Sequence, residues 1–513
     1  MFVRIDNTPR DYAWGSKTAI AQLLGRPASG GPEAELWLGA HPGSPSRIVD
    51  PSLTGGATNL AEWVARDPRA ALGGADARGA ADAAGAAGAR GADARGAGSA
   101  VGADAPRLTF LLKLLAAAGP LSLQAHPSSV QAAEGYAREN AAGVPLDSPV
   151  RNYKDPFHKP ELVFALSERF EALCGFRPLA DSIADLDRLI AAASEALQPT
   201  DALTAFRARL AVQTDAPQVL RSVVAWLLGS GAGVAGAAGV GGVGVSAAGV
   251  SAAGVGAAGA GATGADAEAG AAEASRAGGA VAAGAGLGSG TAPNVSALVA
   301  QVVDAAARVV ATAVSPAAGA PTPSDDLLPF ATVGVLASAY PGDPGIVLSL
   351  LLNRVSLKQG EALYLPAGNI HAYLNGLAVE LMSASDNVLR GGLTPKHIDV
   401  PELLSVLHFA PRAVPYLRPE LHGDDIEIFR PDVPDFQLVR VALGTDADDP
   451  ETTESRVALN GPAIVLCTDG GLRLRGALGE VTLRRGEAAY VTPDEASVTI
   501  VGDGTLFIAT GNA

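Results

Sequence analysis

Gln124 and His126 stand two residues apart in Leu121-Ser122-Leu123-Gln124-Ala125-His126, an alternating stretch that stops at Pro127. On a strand, that spacing projects both side chains from one face. Glu161 follows Asp155-Pro156-Phe157-His158-Lys159-Pro160 and opens another short apolar run, and His371 ends Pro366-Ala367-Gly368-Asn369-Ile370-His371. Two imidazoles, one carboxylate and one amide oxygen suit Zn²⁺ with a position left open for water or substrate. Each histidine taken alone is better explained by a hydrogen bond at the mouth of a barrel. Four ligand types on strands of one predicted barrel tip the balance toward a metal.

A second constellation follows His371. Glu380 lies on the next predicted strand, and the loop from Ser383 to Lys396 carries Asp386, Arg390, Gly391, Gly392 and Lys396. A guanidinium, an ammonium and a closely approaching backbone suit a phosphate group. Lys113 and Lys159 add charge if they face the same pocket. Solvated surface charge is the plain alternative.

The elements that must hold these residues are mostly strands. Arg107–Leu115 is a buried apolar run, and Glu161–Leu166 is a short one. Ser349–Leu352, Glu361–Leu365, Ile370–Leu374 and Ala378–Met382 follow, divided by Gly, Pro and Asn. Many short strands with turns between them indicate a sandwich or barrel. Leu357–Pro366 also parallels Leu483–Thr492 at a constant offset of 126, each with a Gly-Glu turn before a strand. This points to two cupin-like jelly-roll barrels, one central and one C-terminal. At the same offset His371 meets Ser497, so the second barrel is expected to lack metal ligands.

Between the strands, 178–340 reads as helical. Ile183, Leu186, Leu189, Ile190 and Leu197 recur at three- and four-residue steps, as do Leu203, Phe206 and Leu210. Val219–Leu228, Val295–Val310 and Leu327–Tyr340 are further helices. Nearly half of the 62 glycines fall in 73–105 and 229–293. These stretches have few large side chains to offset the entropy of ordering and are expected to be flexible surface inserts. The expected fold class is thus mainly β with an α-helical domain. A catalytic barrel is built from 1–177 and 341–410, the helical domain is inserted at 178–340, and 411–513 forms the second barrel.

With 37 basic and 53 acidic residues the net charge is −16, which excludes a general nucleic-acid binder. Cys174 and Cys467 are too few for a disulfide scaffold and read as buried free thiols. The N-terminus lacks the apolar core of a signal peptide. No run of 18 strongly apolar residues is apparent, so no membrane span is expected. A soluble cytoplasmic protein is the default.

The chain resembles the type I mannose-6-phosphate isomerase family. The matching segments are Tyr12–Ser16, Ala34–Pro42, Phe110–Leu115, Leu121–Pro127, Tyr153–Leu162 and Leu365–Lys396, in family order. The two inserts depart from the family and touch no motif. The resemblance implies a cupin-like metal barrel, an inserted helical domain and a C-terminal barrel. It implies one zinc ion on Gln124, His126, Glu161 and His371, and a sugar-phosphate substrate. Arg390 matches the family's active-site arginine, and Ser122, Lys113, Lys159, Glu380, Asp386 and Lys396 match pocket-lining positions.

Interconverting an aldose and a ketose through a cis-enediol needs a base and positive charge at the oxygens. Glu380 ranks first as base, then Asp386 and Lys159. Lys396, Lys113 and Ser122 are the expected phosphate contacts. His41 is expected away from the site, His397 and His408 to be structural, His422 at the surface, and Trp14 to serve packing. A monomer is expected, with no nucleic acid or membrane partner. An iron-dependent cupin oxygenase is disfavoured by Gln124 and by the Arg390–Lys396 loop. A sugar-phosphate binding protein without catalysis is disfavoured by the intact ligand set.

Overall fold

All eight side chains of strand Phe110–Ala117 are buried, so the strand is covered on both faces. Its period-2 alternation divides the molecule. Leu112, Leu114 and Ala116 join Leu162, Phe164, Val379 and Leu381 and pack against Phe429, Phe436, Leu438, Ile464 and Phe507 of a second sheet. The opposite row, Leu115 and Ala117 with Val163, Ala165 and Ala378, lines a separate apolar interior. Lys113 belongs to this inward row by alternation, and so do Glu161 and Glu380 on their strands. Across the interface Phe164 meets Phe429 and Phe507 edge-on at 5.3 and 5.2 Å. Each such pair contributes about 0.5–1.5 kcal/mol beyond area burial.

The structure, a computed structural model, describes residues 1–73, 106–211, 215–231, 294–313, 324–444 and 454–512. The inserts expected at 73–105 and 229–293 lie outside these residues apart from their first positions. Among the described residues there are two ten-stranded sheets, antiparallel throughout. The first contains every strand that carries a predicted ligand: Gln124–Ala125, Glu161–Ala165 and His371–Ser383. The second holds the C-terminal strands together with Phe2–Asp6, which pairs with Ala488–Val491. The N-terminus therefore contributes to the C-terminal sheet, while Tyr416–Leu417 pairs back onto Ala362–Leu365 in the first.

The internal repeat extends into the backbone. Strands Ala362–Leu365 and Ala488–Val491 begin at the offset of 126, and so do the long strands His371–Ser383 and Ser497–Thr510. Gly360 and Gly486 share a left-handed conformation, φ +90° and +87°. The turn glutamates Glu361 and Glu487 each accept the backbone N–H of the residue three before, Lys358 and Arg484.

Ile370–Leu374 and Ala378–Met382 are not two strands. They are one strand, His371–Ser383, running through Asn375-Gly376. Gly376 has φ +125°, and a Cβ there would lie 2.8 Å from the Phe170 ring and 2.9 Å from the Arg169 carbonyl oxygen. The glycine serves close strand approach, not a turn. Gly502, at the repeat offset, has φ +127°. Two further expectations change. Ser349 closes a helix, Gly345–Ser349, and the strand starts at Leu352. The strand around Gln124 is only Gln124–Ala125, with His126 just beyond it.

Helices Leu179–Glu195, Asp201–Ala211, Ala216–Gly231, Val295–Ala313 and Leu328–Ala339 share one apolar cluster with Leu173, Phe176, Ile370 and Ala372 of the first sheet's side. Val295–Ala313 is long and apolar enough by composition to cross a membrane, contrary to the expectation above. Its buried residues Leu298, Val299, Val302, Ala305, Ala306 and Val309 recur at helical spacing and face that cluster.

Gly376→Ala should destabilise the protein by about 2 kcal/mol or more, through a strained φ and a steric clash. Gly502→Ala should behave alike. Denaturant unfolding checks this, and an unchanged midpoint for Gly376→Ala would show that the strand accommodates a Cβ.

Candidate functional site

Strand register assembles the site. Gln124 lies opposite His371 on one side and Arg390 on the other. Glu161 lies opposite Met382, and Glu380 opposite Lys113, which in turn faces Trp37. Directly opposed residues of an antiparallel pair share a face. Residues from distant parts of the sequence therefore open on one pocket.

Glu161 sits at its centre. His126 Nε2 lies 3.2 Å from Glu161 Oε1, and His371 Nε2 lies 3.1 Å from Oε2. All three residues are buried, and their ligand atoms lie within 4.8 Å of one another. His126 Nδ1 is 2.7 Å from the Asn387 carbonyl oxygen, and His371 Nδ1 is 3.0 Å from that of Asn369. A carbonyl only accepts, so each Nδ1 carries the hydrogen and each Nε2 presents a lone pair. His126 Nε2 is buried with no hydrogen-bond partner among the described residues. Two lone pairs thus face a carboxylate, an arrangement that repels unless a cation lies between them. Gln124 Nε2 is 3.2 Å from His371 Nε2, and a half-turn of its amide brings Oε1 to the same point. The residues present fit a divalent ion of the zinc type.

Burial pulls His126 down to about 4 despite Glu161, which keeps it neutral and able to coordinate near pH 7. Burial alone would raise Glu161, but with His126 neutral the positive charge of Lys159 beside it still holds the carboxyl below its usual range. Lys159 Nζ is 3.2 Å from Glu161 Oε1, and the Tyr373 hydroxyl donates to Oε2 at 3.4 Å.

Lys113, an expected phosphate contact, is taken up by carboxylates. It is buried, 2.9 Å from Glu380 and 3.8 Å from Glu35, and these carboxylates overcome burial to raise its pKa. Glu380 is 3% exposed and bound to that ammonium, so the first-ranked base is already paired with a buried cation. Asp386 is different. Its side chain is 46% exposed, and no lysine or arginine pairs with it among the described residues. Arg390 is half-buried without an ion pair among the described residues, and burial lowers its pKa. Lys396 is lowered by burial and then by Arg390 and Lys154, so these three cations stand together. Ser122 is half-buried, two residues before Gln124.

The loop bearing Asp386 is fastened at several points. Asp155 accepts from the Ser385 hydroxyl and the Asp386 N–H, both at 2.8 Å, and Asn387 donates to the carbonyls of Asp155 and Phe157. Sequence reasoning missed Glu35, Trp37, Tyr373, Lys154 and above all His41. His41 is buried, with Nε2 3.5 Å from Asp386 Oδ1. Glu35 and Trp37 had a signal: they are two apart on a strand, and the Trp37 indole N–H donates to Glu35 at 2.9 Å. Trp14 packs against the second apolar interior beside Tyr12, a packing role as expected. His397, His408 and His422 are exposed. Cys174 and Cys467 are buried free thiols.

A family model described as phosphomannose isomerase type I, catalytic domain, matches residues 2–71 and 94–179. Mannose-6-phosphate isomerase of Escherichia coli (strain K12) is 31% identical over 506 residues, spanning 98% of each chain. The Homo sapiens protein of that name is 26% identical, covering 95% of this chain and 92% of its own. Among solved structures, mannose 6-phosphate isomerase bound with zinc and yttrium has a TM-score of 0.68 at 30% identity, over 100% of both chains. A single-residue variant of phosphomannose isomerase from Salmonella typhimurium has a TM-score of 0.69 at 30% identity, also over 100% of both.

Lys113→Met should cost about 3–5 kcal/mol by leaving two buried carboxylates without their cation. Adding Glu380→Leu should recover much of that loss. Unfolding free energies of the two variants decide it, and a stable Lys113→Met protein would mean that the pair contributes little.

Proposed function

Since the chain belongs to the type I phosphomannose isomerase family, we propose that it interconverts mannose 6-phosphate and fructose 6-phosphate through a cis-enediol, with one zinc ion held by Gln124, His126, Glu161 and His371. The chain is an isomerase. The observation that carries the metal assignment is the Glu161 carboxylate caught between two imidazole lone pairs. In the same reading the two sheets are cupin-like jelly-roll barrels, the second without ligands, and 178–340 is a helical domain inserted into the first. The protein works as a cytoplasmic monomer on a small sugar phosphate, without nucleic acid or membrane. Its net charge of −16 argues against nucleic acid, and the buried face of Val295–Ala313 argues against a membrane span.

Zinc, when bound, supplies a Lewis acid for the carbonyl and the developing enediolate oxygens. The chain's own residues do the rest. Asp386 is assigned as the base that takes the proton from C2 and returns it to C1, because its carboxylate is exposed where that of Glu380 is not. The O2 proton passes to O1, and Arg390, across from Gln124, supplies positive charge to both oxygens as they become negative. Lys396, with Lys154 and Ser122, receives the phosphate. Lys159 orients Glu161, and the Lys113–Glu380 pair fixes the wall behind it.

A coupled assay should show fructose 6-phosphate formed from mannose 6-phosphate, activity lost to a chelator, and recovery on adding zinc. A protein that binds the substrate but never turns it over with zinc present would refute the reading. His371→Ala should lower zinc content measured by elemental analysis. Arg390→Ala should keep zinc while turnover falls about 10²–10³-fold, the scale of losing one oxyanion donor.

A further inference from the structure

The contact that the mechanism above leaves unused lies between His41 and Asp386. His41 is 5% exposed, in the loop after strand Glu35–Leu38. Its Nδ1 accepts the backbone N–H of Gly43 at 3.1 Å, so the ring hydrogen of the neutral form is on Nε2. That nitrogen faces Asp386 Oδ1 at 3.5 Å. The ring is held edge-on to Trp37, centroids 5.0 Å apart. A Cβ on Gly43 would lie 3.2 Å from His41 Nδ1 and 3.5 Å from Trp37 Cζ3. Tautomer and orientation are thus both fixed from behind.

The charged groups that act on this ring are Asp386, Lys113, Lys159 and Arg10. Burial lowers its pKa, and the three cations add to that while Asp386 opposes it. The neutral ring can therefore offer Asp386 a hydrogen without cancelling its charge. The Asp386 backbone is held separately by Asp155, which leaves the carboxylate direction to be set from the other side.

We propose that His41 is a positioning residue for the isomerisation, its Nε2–H directing the Asp386 carboxylate toward the reacting carbons. The proposal rests on the assignment of Asp386 as base. A base misdirected by about 1 Å loses much of its efficiency.

The test uses the zinc-loaded full-length enzyme. His41→Phe keeps a ring against Trp37 and removes the donor. It should lower kcat about 10–100-fold with KM and zinc content unchanged. His41→Gln, whose amide can reach Asp386, should restore part of that loss. Gly43→Ala, which presses on the ring without altering it, should lower kcat in the same direction and is available should His41→Phe fold poorly. Asp386→Asn should be the more severe single change. The double variant His41→Phe/Asp386→Asn should be no slower than Asp386→Asn alone, since both act through one carboxylate. Multiplying losses in the double variant, or a His41→Phe enzyme with normal kcat beside an inactive Asp386→Asn, would overturn the proposal and leave the base assignment standing. A nearly full-speed Asp386→Asn would overturn the base assignment itself, and the proposal with it.

Discussion

The Glu161 carboxylate is the constraint on which the site depends. It is buried and held ionised, and two imidazole lone pairs face it within 3.2 Å. Two lone pairs aimed at one carboxylate call for a cation between them. The neighbouring features follow from it. The carbonyls of Asn369 and Asn387 take the Nδ1 hydrogens, which turns both Nε2 atoms inward. Lys159 and Tyr373 occupy the remaining directions around the carboxylate. The carbonyl of Asn387 is available because the loop around it is stapled to Asp155 and Phe157. The Asp386 loop and the His126 imidazole are therefore one mechanical unit, with backbone and side chain of Asn387 serving both.

The C-terminal sheet holds none of the four proposed ligands, yet it is not remote from the site. Asp435 precedes the buried Phe436 and lies 2.9 Å from His158 Nε2. His158 is the residue before Lys159, three before Glu161. Thr109, beside the Phe110 strand, donates to the Asp435 carbonyl at 3.0 Å. Through these bonds and the Phe164 ring contacts, the second sheet fixes the segment that enters the pocket with Lys159 and Glu161. An outer face with so many aromatic contacts resists sliding, because close-packed interiors transmit small displacements and do not absorb them.

Much of this was legible in the sequence because it depends on local spacing. The Gln124–His126 alternation, the Gly-Glu hairpins and the helical periodicity around Leu186 and Val302 report residue types at fixed short distances. What stayed hidden depends on long-range register. Asn375-Gly376 reads as a turn, since glycine after asparagine commonly marks one. Only the approach of Phe170 shows that the residue is glycine for lack of space. Glu380 read as an available carboxylate because its partner Lys113 lies 267 positions away. His41 read as remote from the site because Asp386 is equally invisible from its neighbours.

The charge distribution settles what the acidic composition left open. An acidic chain that handles a phosphorylated sugar was expected to gather Arg390, Lys396, Lys113 and Lys159 in one place. The structure sorts them by partner. Lys113 and Lys159 are opposed by Glu35, Glu380 and Glu161, so this buried set of three carboxylates and two ammonium groups is one negative charge in excess. It is suited to receive a cation, not an anion. Lys396 and Lys154 make no ion pairs among the described residues and are exposed, and Arg390, half-buried across from Gln124, acts on Lys396. Two layers of opposite sign thus replace one basic pocket. In the proposed reading the inner layer holds the metal and the outer layer receives the substrate's phosphate. Bringing a dianion to a buried carboxylate cluster would cost heavily in a medium of low dielectric. In the proposed reading, separating the layers removes that cost and leaves the reacting end of the sugar inward.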